Sequence, residues 1–227
     1  MDVQNIKILA GSSHPELVQQ IRSKLGITTV DNDIQYFSNT EIRPLIKSSI
    51  RGNNVYIIQT GANNNIRSIN DYVMELYFLI KTCKRSDAKS INVILPFYPY
   101  CRQDKKDFPR GAICARDMAD LLESAGANRV VTFRLHNPAI QGFFTIPVDN
   151  LYCDSYILSF LKNIIKDNKD NYVLVSPDEG ALKMTKVYAS GLKIPMVYFC
   201  KERDYTKQNV VENSNLIGNK KYVVGRH

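Results

Sequence analysis

The sequence alternates short apolar runs with stretches of helical periodicity, and this rhythm restricts the possible folds more than any other feature. Strand-like runs occupy residues 6–10, 54–60, 91–97 and 129–135. Helical patterns lie between them, at residues 15–25, 69–82 and 112–125. Because strands separated by helices pair in parallel through helical crossovers, the sequence predicts an α/β fold with mostly parallel sheets.

The same rhythm starts again after about residue 150, which predicts two domains, residues 1–150 and residues 151–227. The second half contains helical patterns at residues 154–165 and 179–189, the latter ended by Gly191, and strand-like runs at residues 172–176 and 195–200. Residues 204–221 are polar and lack periodicity, which is typical of a mobile loop. A further strand is predicted to begin at residues 222–224.

Several sequence features indicate a soluble protein of the cytoplasm. No run of eighteen apolar residues occurs, so no membrane association is predicted. The first residues lack the basic and then apolar pattern of a secretory signal. The five cysteines are scattered and form no CxxC pair, which disfavours a disulfide framework and a structural zinc site.

The charge balance is basic, with 30 lysines and arginines against 22 acidic residues and a net charge of +8. The basic residues are dispersed and no known nucleic-acid-binding motif accompanies them, so no nucleic-acid partner is predicted. A local basic cluster suits a small phosphorylated substrate. The general excess can also reflect solubility alone.

Two segments in the first half carry candidate nucleotide-binding residues. In residues 36–41 an aromatic ring, an amide and a carboxylate lie close together, a combination that can stack on a purine and bond to its edge or ribose. The alternative is an ordinary junction of strand and turn. The loop at residues 99–110 contains four cations and a glutamine, which suit a polyphosphate. The alternative there is a solvated surface loop.

Five further candidate residues follow predicted strands. His136 and Asp149 can share a magnesium ion or hold phosphate-bound water, although a single histidine is more often structural. Asp178 can bind sugar hydroxyls or accept hydrogen bonds from the first N–H groups of a helix. Lys201 and Arg203 lie on one face of the chain if it is extended there.

Taken together, the order and wording of these motifs resemble the ribose-phosphate pyrophosphokinases along essentially the whole chain. The most distinctive runs are Arg-Gln-Asp-Lys-Lys-Asp at residues 102–107 and Gln-Gly-Phe-Phe at residues 141–144. Shorter matches lie at residues 11–14, 37–39, 146–151, 175–178 and 201–203. The resemblance implies two phosphoribosyltransferase-like α/β domains, homo-oligomers, and transfer of pyrophosphate from Mg–ATP to ribose 5-phosphate in nucleotide biosynthesis.

The resemblance also implies a role for each candidate residue. The implied ATP contacts are Phe37, Asn39, Glu41, Arg102 and Gln103. His136 and Asp149 match magnesium-linked positions, and Asp178 matches a contact of ribose 5-phosphate. Lys201 and Arg203 match a catalytic pair, on a flexible loop, that stabilises the phosphates in transfer.

The sequence departs from the family pattern at three positions around the implied metal site. It also departs from that pattern in its last residues. Arg134 and Thr145 replace aspartates, and Ala139 replaces a polar residue. The family's acidic phosphate-binding loop does not occur within the 227 residues. We therefore expect an incomplete second domain and impaired activity. The alternatives are a non-catalytic subunit that associates with an active homologue and, less favoured, a phosphoribosyltransferase.

Overall fold

The computed structural model describes residues 5–63, 66–166, 168–203 and 211–217, with only the backbone described for residues 201–203 and 211–216. The chain divides into two compact units, Met1–Tyr152 (unit 1) and Cys153–His227 (unit 2). No helix in the described ranges is both long enough and apolar enough to cross a membrane.

Unit 1 is built on a five-stranded parallel sheet, which confirms the predicted α/β class with a mostly parallel sheet. The elements in chain order are β1 (Ile6–Ala10), α1 (Pro15–Leu25), β2 (Asn32–Tyr36), β3 (Ile42–Ile46), β4 (Asn54–Ile58), α2 (Ile69–Arg85), β5 (Ser90–Leu95), α3 (Cys114–Ala125), β6 (Arg129–Phe133) and β7 (Val148–Leu151). The strands lie in the order β1-β4-β5-β6-β7, and each pairs in parallel with its neighbour.

The main core of unit 1 lies between one face of this sheet and the helices α2 and α3. Alternate strand residues such as Val55 and Ile57 are completely buried, as are Leu79 on α2 and Leu122 on α3. Each such side chain contributes on the order of 1.5–3 kcal/mol through burial. The packed sheet therefore gives a rigid base for the loops that follow its strands.

The hairpin of β2 and β3 is the part of unit 1 that the sequence does not predict. These two strands pair antiparallel, with Tyr36 opposite Ile42, and form a separate two-stranded sheet. Neither strand is fully buried on either face. A polar hairpin of this kind lacks the apolar run that marks β1, β4, β5 and β6, so the pattern does not identify it.

Unit 2 contains α4 (Asp154–Ile165), β8 (Leu174–Ser176), α5 (Leu182–Leu192), β9 (Met196–Arg203) and β10 (Val211–Ile217). Its sheet has the order β10-β9-β8, in which β8 and β9 are parallel and β9 and β10 antiparallel. The predicted irregular structure is therefore wrong for residues 211–217. Residues 204–210 and the strand predicted from residue 222 lie outside the described residues.

The predicted end of helix α5 is also wrong. Gly191 lies inside the helix, which continues to Leu192 and ends at Lys193, where φ is 59°. A Cβ atom on Gly191 would lie 2.9 Å from a methyl carbon of Leu158 on α4. The glycine therefore serves close packing of two helices rather than helix termination.

Candidate functional site

A tight turn joins β2 to β3 and contains three of the predicted ATP contacts. The N–H of Phe37 donates to the carbonyl oxygen of Glu41 at 3.0 Å, and the N–H of Thr40 donates to that of Phe37 at 2.9 Å. The Asn39 side chain accepts from the N–H of Glu41 at 3.2 Å. Asn39 thus supports the turn itself, while Phe37 remains 45% exposed.

A cation lies beside the exposed ring. The guanidinium carbon of Arg43 is 5.0 Å from the centroid of the Phe37 ring. Arg43 Nε also donates to the side-chain oxygen of Gln35, its cross-strand partner, at 3.1 Å. The hairpin therefore presents an aromatic surface next to a positive charge, a pairing that suits a nucleotide base and its phosphates.

The second predicted segment is the loop that follows β5, at the carboxyl edge of the parallel sheet. The N–H of Gln103 donates to the carbonyl oxygen of Tyr100 at 2.9 Å, and the Gln103 carbonyl accepts from the N–H of Ala115 at 3.2 Å. Cys101 is buried beneath the loop, and burial raises the pKa of its thiol. The backbone of the loop is thus fixed, whereas the side chains of Arg102 and Gln103 are exposed.

Residues 67–70, where α2 begins, contact both segments. The guanidinium carbon of Arg67 lies 3.1 Å from the centroid of the Tyr36 ring, immediately before the turn. On the other side, the hydroxyl of Tyr100 donates to the side-chain oxygen of Asn70. The two predicted nucleotide segments are therefore anchored to one short stretch of chain within unit 1.

The surroundings of the predicted magnesium positions are basic. Asp149 forms a 2.7 Å ion pair with Arg129, and both side chains are partly exposed. Arg134, two residues before His136, has a φ of 46° and places its guanidinium carbon 5.3 Å from the Tyr152 ring centroid. Among the described residues, no group of three or more His, Cys, Asp or Glu side chains could hold a metal ion.

These residues do not fit a magnesium ion held by protein side chains. Magnesium prefers carboxylate oxygens in octahedral geometry, and the Asp149 carboxylate is already paired with Arg129. That His136 and Asp149 share a magnesium ion stays a prediction, and this ion pair disfavours it.

Thr145 and Ala139, the other departures from the family pattern, are integrated into local structure. The N–H of Thr145 donates to the carboxylate of Glu123 on α3 at 2.6 Å, and its hydroxyl donates to the second oxygen of that carboxylate. The N–H of Ala139 donates to the Asn137 side chain at 3.0 Å, at the start of a 3-10 helix. Thr145 therefore links the segment that precedes β7 to α3.

In unit 2, Asp178 accepts a hydrogen bond at 2.9 Å from the N–H of Ala181, just before α5. Asp178 thus closes the turn before α5 but does not cap the helix, because the N-cap position is Ala181 and no side chain caps it. The predicted binding of ribose 5-phosphate stays a prediction. The backbones of Lys201 and Arg203 belong to β9 and pair with β10, so β9 extends three residues beyond the predicted strand. Their side chains lie outside the described part of the chain.

Four residues that contact the turn or support it were not identified from the sequence: Arg43, Arg67, Glu75, which accepts from the Tyr36 hydroxyl, and Gln59, which donates to Glu75. One signal was present for Glu75, because a carboxylate interrupts the apolar face of α2, between Tyr72 and Leu79. Glu75 is completely buried. A buried acidic side chain is rare unless hydrogen-bonded partners satisfy it.

Comparison with known proteins gives consistent matches. The family model for the N-terminal domain of ribose phosphate pyrophosphokinase matches residues 6–126. The chain is 44% identical over 218 residues to ribose-phosphate pyrophosphokinase 4 of Saccharomyces cerevisiae, covering 96% of this chain and 65% of that protein. It is also 44% identical to the ribose-phosphate pyrophosphokinase of Chlorobaculum tepidum, covering 95% and 64% of the two chains.

A solved structure gives the same result for the fold. The crystal structure of phosphoribosylpyrophosphate synthetase from Mycobacterium smegmatis matches with a TM-score of 0.82 at 34% identity. The match covers 94% of this chain and 67% of that one. The chain thus spans about two thirds of the length of the relatives it matches.

Proposed function

Because the chain belongs to the ribose-phosphate pyrophosphokinase family, we propose that it binds ATP and transfers pyrophosphate to ribose 5-phosphate. The 1-hydroxyl oxygen of the sugar forms a bond to the β-phosphorus of ATP. The bond from that phosphorus to the bridging α–β oxygen breaks, and the hydroxyl proton is released. The products are phosphoribosyl pyrophosphate and AMP.

The observation that carries this proposal is the anchoring of two nucleotide segments to residues 67–70. In the proposed site, the Phe37 ring stacks on the adenine, and Asn39 and Glu41 present polar groups to the nucleoside. Arg102 and Gln103 contact the phosphates from the loop after β5. Both segments are exposed, with their backbones fixed by hydrogen bonds, so little ordering is needed when the nucleotide binds.

The sugar side of the reaction is proposed for unit 2. Asp178 binds hydroxyls of ribose 5-phosphate, and Lys201 and Arg203 neutralise charge that develops on the phosphate oxygens during transfer. Positioning and charge neutralisation supply most of the catalysis in phosphoryl transfer. Magnesium belongs to this proposal as the ion that accompanies ATP, and no step is assigned to an ion held by the protein.

A second candidate function is a non-catalytic subunit that assembles with an active homologue. It is favoured by the Arg129–Asp149 ion pair and by Arg134, which surround the predicted metal positions with positive charge. In the first candidate the chain forms homo-oligomers, and in the second it forms hetero-oligomers. A cytoplasmic location remains a prediction in both.

Because Arg134 and Thr145 depart from the family pattern, we expect the purified chain to release AMP from Mg–ATP slowly and only when ribose 5-phosphate is present, with one phosphoribosyl pyrophosphate formed per AMP. A coupled assay for AMP, with product measured by chromatography, checks this balance. ATP binding without any AMP release would contradict the transferase proposal and favour the associated subunit. Co-purification with an active homologue, which then turns over normally, would support that second candidate.

A further inference from the structure

We infer that Glu75 is a positioning residue for the nucleotide segment and acts through the hydroxyl of Tyr36. The inference rests on the proposed nucleotide site and identifies a buried group that sets its geometry. Glu75 lies on α2 and is 0% exposed, whereas the turn at residues 37–41 is exposed. Glu75 therefore acts on the site without touching the nucleotide.

The Glu75 carboxylate receives four hydrogen bonds. Its Oε1 atom accepts from the N–H of Ser12 at 2.7 Å and from Nε2 of Gln59 at 3.0 Å. Its Oε2 atom accepts from the hydroxyl of Tyr36 at 3.0 Å and from the hydroxyl of Ser12. A carboxylate offers about four acceptor sites, so these donors saturate it.

Burial of a carboxylate is costly unless donors replace the lost water. Among the described residues, no basic side chain forms an ion pair with Glu75, so hydrogen bonds alone compensate for its burial. Such charge-assisted hydrogen bonds are stronger and more directional than neutral ones. The arrangement therefore fixes each donor more firmly than apolar packing would.

The donors come from three separate parts of the fold. Ser12 follows β1, Gln59 follows β4, and Tyr36 ends β2. Gln59 is itself 1% exposed and accepts from the N–H of Ser13 at 3.0 Å. Glu75 thereby joins the polar hairpin, which has little buried apolar surface of its own, to the carboxyl edge of the parallel sheet.

Tyr36 transmits this constraint to the nucleotide segment, because Phe37 is the next residue in the chain. The Tyr36 hydroxyl is bonded to Glu75 and the Tyr36 ring is in contact with Arg67. These two contacts hold the side chain that immediately precedes the turn. Burial, together with the charge of Glu75, raises the pKa of Tyr36. The hydroxyl is therefore a proton donor at all physiological pH values.

The direct test is the substitution Tyr36→Phe, which removes one hydroxyl and keeps the ring. Calorimetric titration with a non-hydrolysable ATP analogue is expected to show affinity lowered by about 5- to 10-fold, the loss of roughly one positioning hydrogen bond. The matched control is Tyr188→Phe in unit 2, which removes a tyrosine hydroxyl that donates to the carboxylate of Asp154. We expect that control to bind within twofold of the wild type.

A second variant, Glu75→Gln, tests the same contact without removing it. The two N–H donors meet one oxygen of the side chain and the two hydroxyls meet the other. A glutamine amide can keep its oxygen toward the N–H groups and direct its NH2 group toward the two hydroxyls. Each hydroxyl then accepts a hydrogen bond instead of donating one. We therefore expect Glu75→Gln to bind the analogue within threefold of the wild type.

Three outcomes separate the hypotheses. If the wild type binds the analogue and Tyr36→Phe binds equally well, the positioning role is refuted and the proposed function stands. If Glu75→Gln, folded as judged by its thermal melt, loses binding, the negative charge rather than the hydrogen bonds matters and the inference again fails. If the wild type itself does not bind, the proposed nucleotide site fails.

Discussion

Gly11→Ala is expected to lower the free energy of unfolding by about 3 kcal/mol, a loss typical of a disrupted buried hydrogen-bond network. A Cβ atom at this position would lie 2.3 Å from Oε1 and 2.6 Å from Cδ of the Gln59 side chain. Gln59 cannot move aside freely, because it bonds to Ser13 and Glu75 and also donates to the Tyr72 carbonyl. Its displacement would leave buried donors and acceptors without partners.

The matched control is Gly142→Ala. A Cβ atom on Gly142 would meet nothing within 4 Å, so this substitution is expected to change stability by about 0.5 kcal/mol at most. Urea denaturation followed by circular dichroism measures both variants. Equal stability of the two alanine variants would show that the Gln59 network does not constrain the end of β1.

Arg134→Asp is expected to make binding of an ATP analogue depend on magnesium. The change replaces a positive by a negative charge two residues before His136, and the electrostatic gain for a nearby divalent ion is about 2 kcal/mol, or on the order of 30-fold. The fold should tolerate it, because aspartate adopts a positive φ at least as readily as arginine. The Arg134 N–H, which donates to the Leu151 carbonyl at 2.9 Å, is retained.

Calorimetry with and without magnesium measures this effect, and Arg134→Gln serves as the neutral intermediate. We expect the magnesium-dependent gain in affinity to be smallest in the wild type, larger in Arg134→Gln and largest in Arg134→Asp. A wild-type protein that already shows the full dependence would contradict the view that Arg134 and the Arg129–Asp149 ion pair disfavour the ion.

Four strands of the parallel sheet of unit 1, β1, β4, β5 and β6, were predictable, because each contains buried apolar residues and appears as an apolar run. Val55, Ile57 and Val93 are examples. Helix α4 was predicted with the same bounds that the structure shows, since its amphipathic pattern is uninterrupted. An apolar run in a strand and a periodic apolar pattern in a helix are the signals that the sequence carries for these elements.

The hairpin of β2 and β3 and strand β10 left no such trace, and the buried polar network left only the carboxylate of Glu75 on the apolar face of α2. The hairpin and β10 are polar, so their pairing depends on backbone hydrogen bonds that composition does not reveal. In the network, Ser12 and Glu75 are 63 residues apart in sequence, and Tyr36 and Glu75 are 39 apart. Contacts at such separations follow from the assembled fold and not from local pattern.

The candidate site shows the same division. The sequence motifs identified Phe37 and Arg102. In the structure both side chains are exposed, and backbone hydrogen bonds fix the segments that carry them. The motifs gave no indication of Arg67 or Glu75, whose side chains contact Tyr36 immediately before the turn. Nor could the motifs show that Arg129 pairs with Asp149. These two residues lie 20 positions apart in sequence and meet only because β6 pairs with β7.

In the proposed site the turn at residues 37–41 binds the base of ATP. The decisive experiment is titration of wild type, Phe37→Ala and Phe160→Ala with a non-hydrolysable ATP analogue, where Phe160 is a 65% exposed phenylalanine on α4 in unit 2. We predict 1:1 binding by the wild type, at least about 10-fold weaker binding by Phe37→Ala from lost base stacking, and binding by Phe160→Ala within twofold of the wild type. Absence of binding by the wild type, or equal affinities for wild type and Phe37→Ala, would contradict the claim.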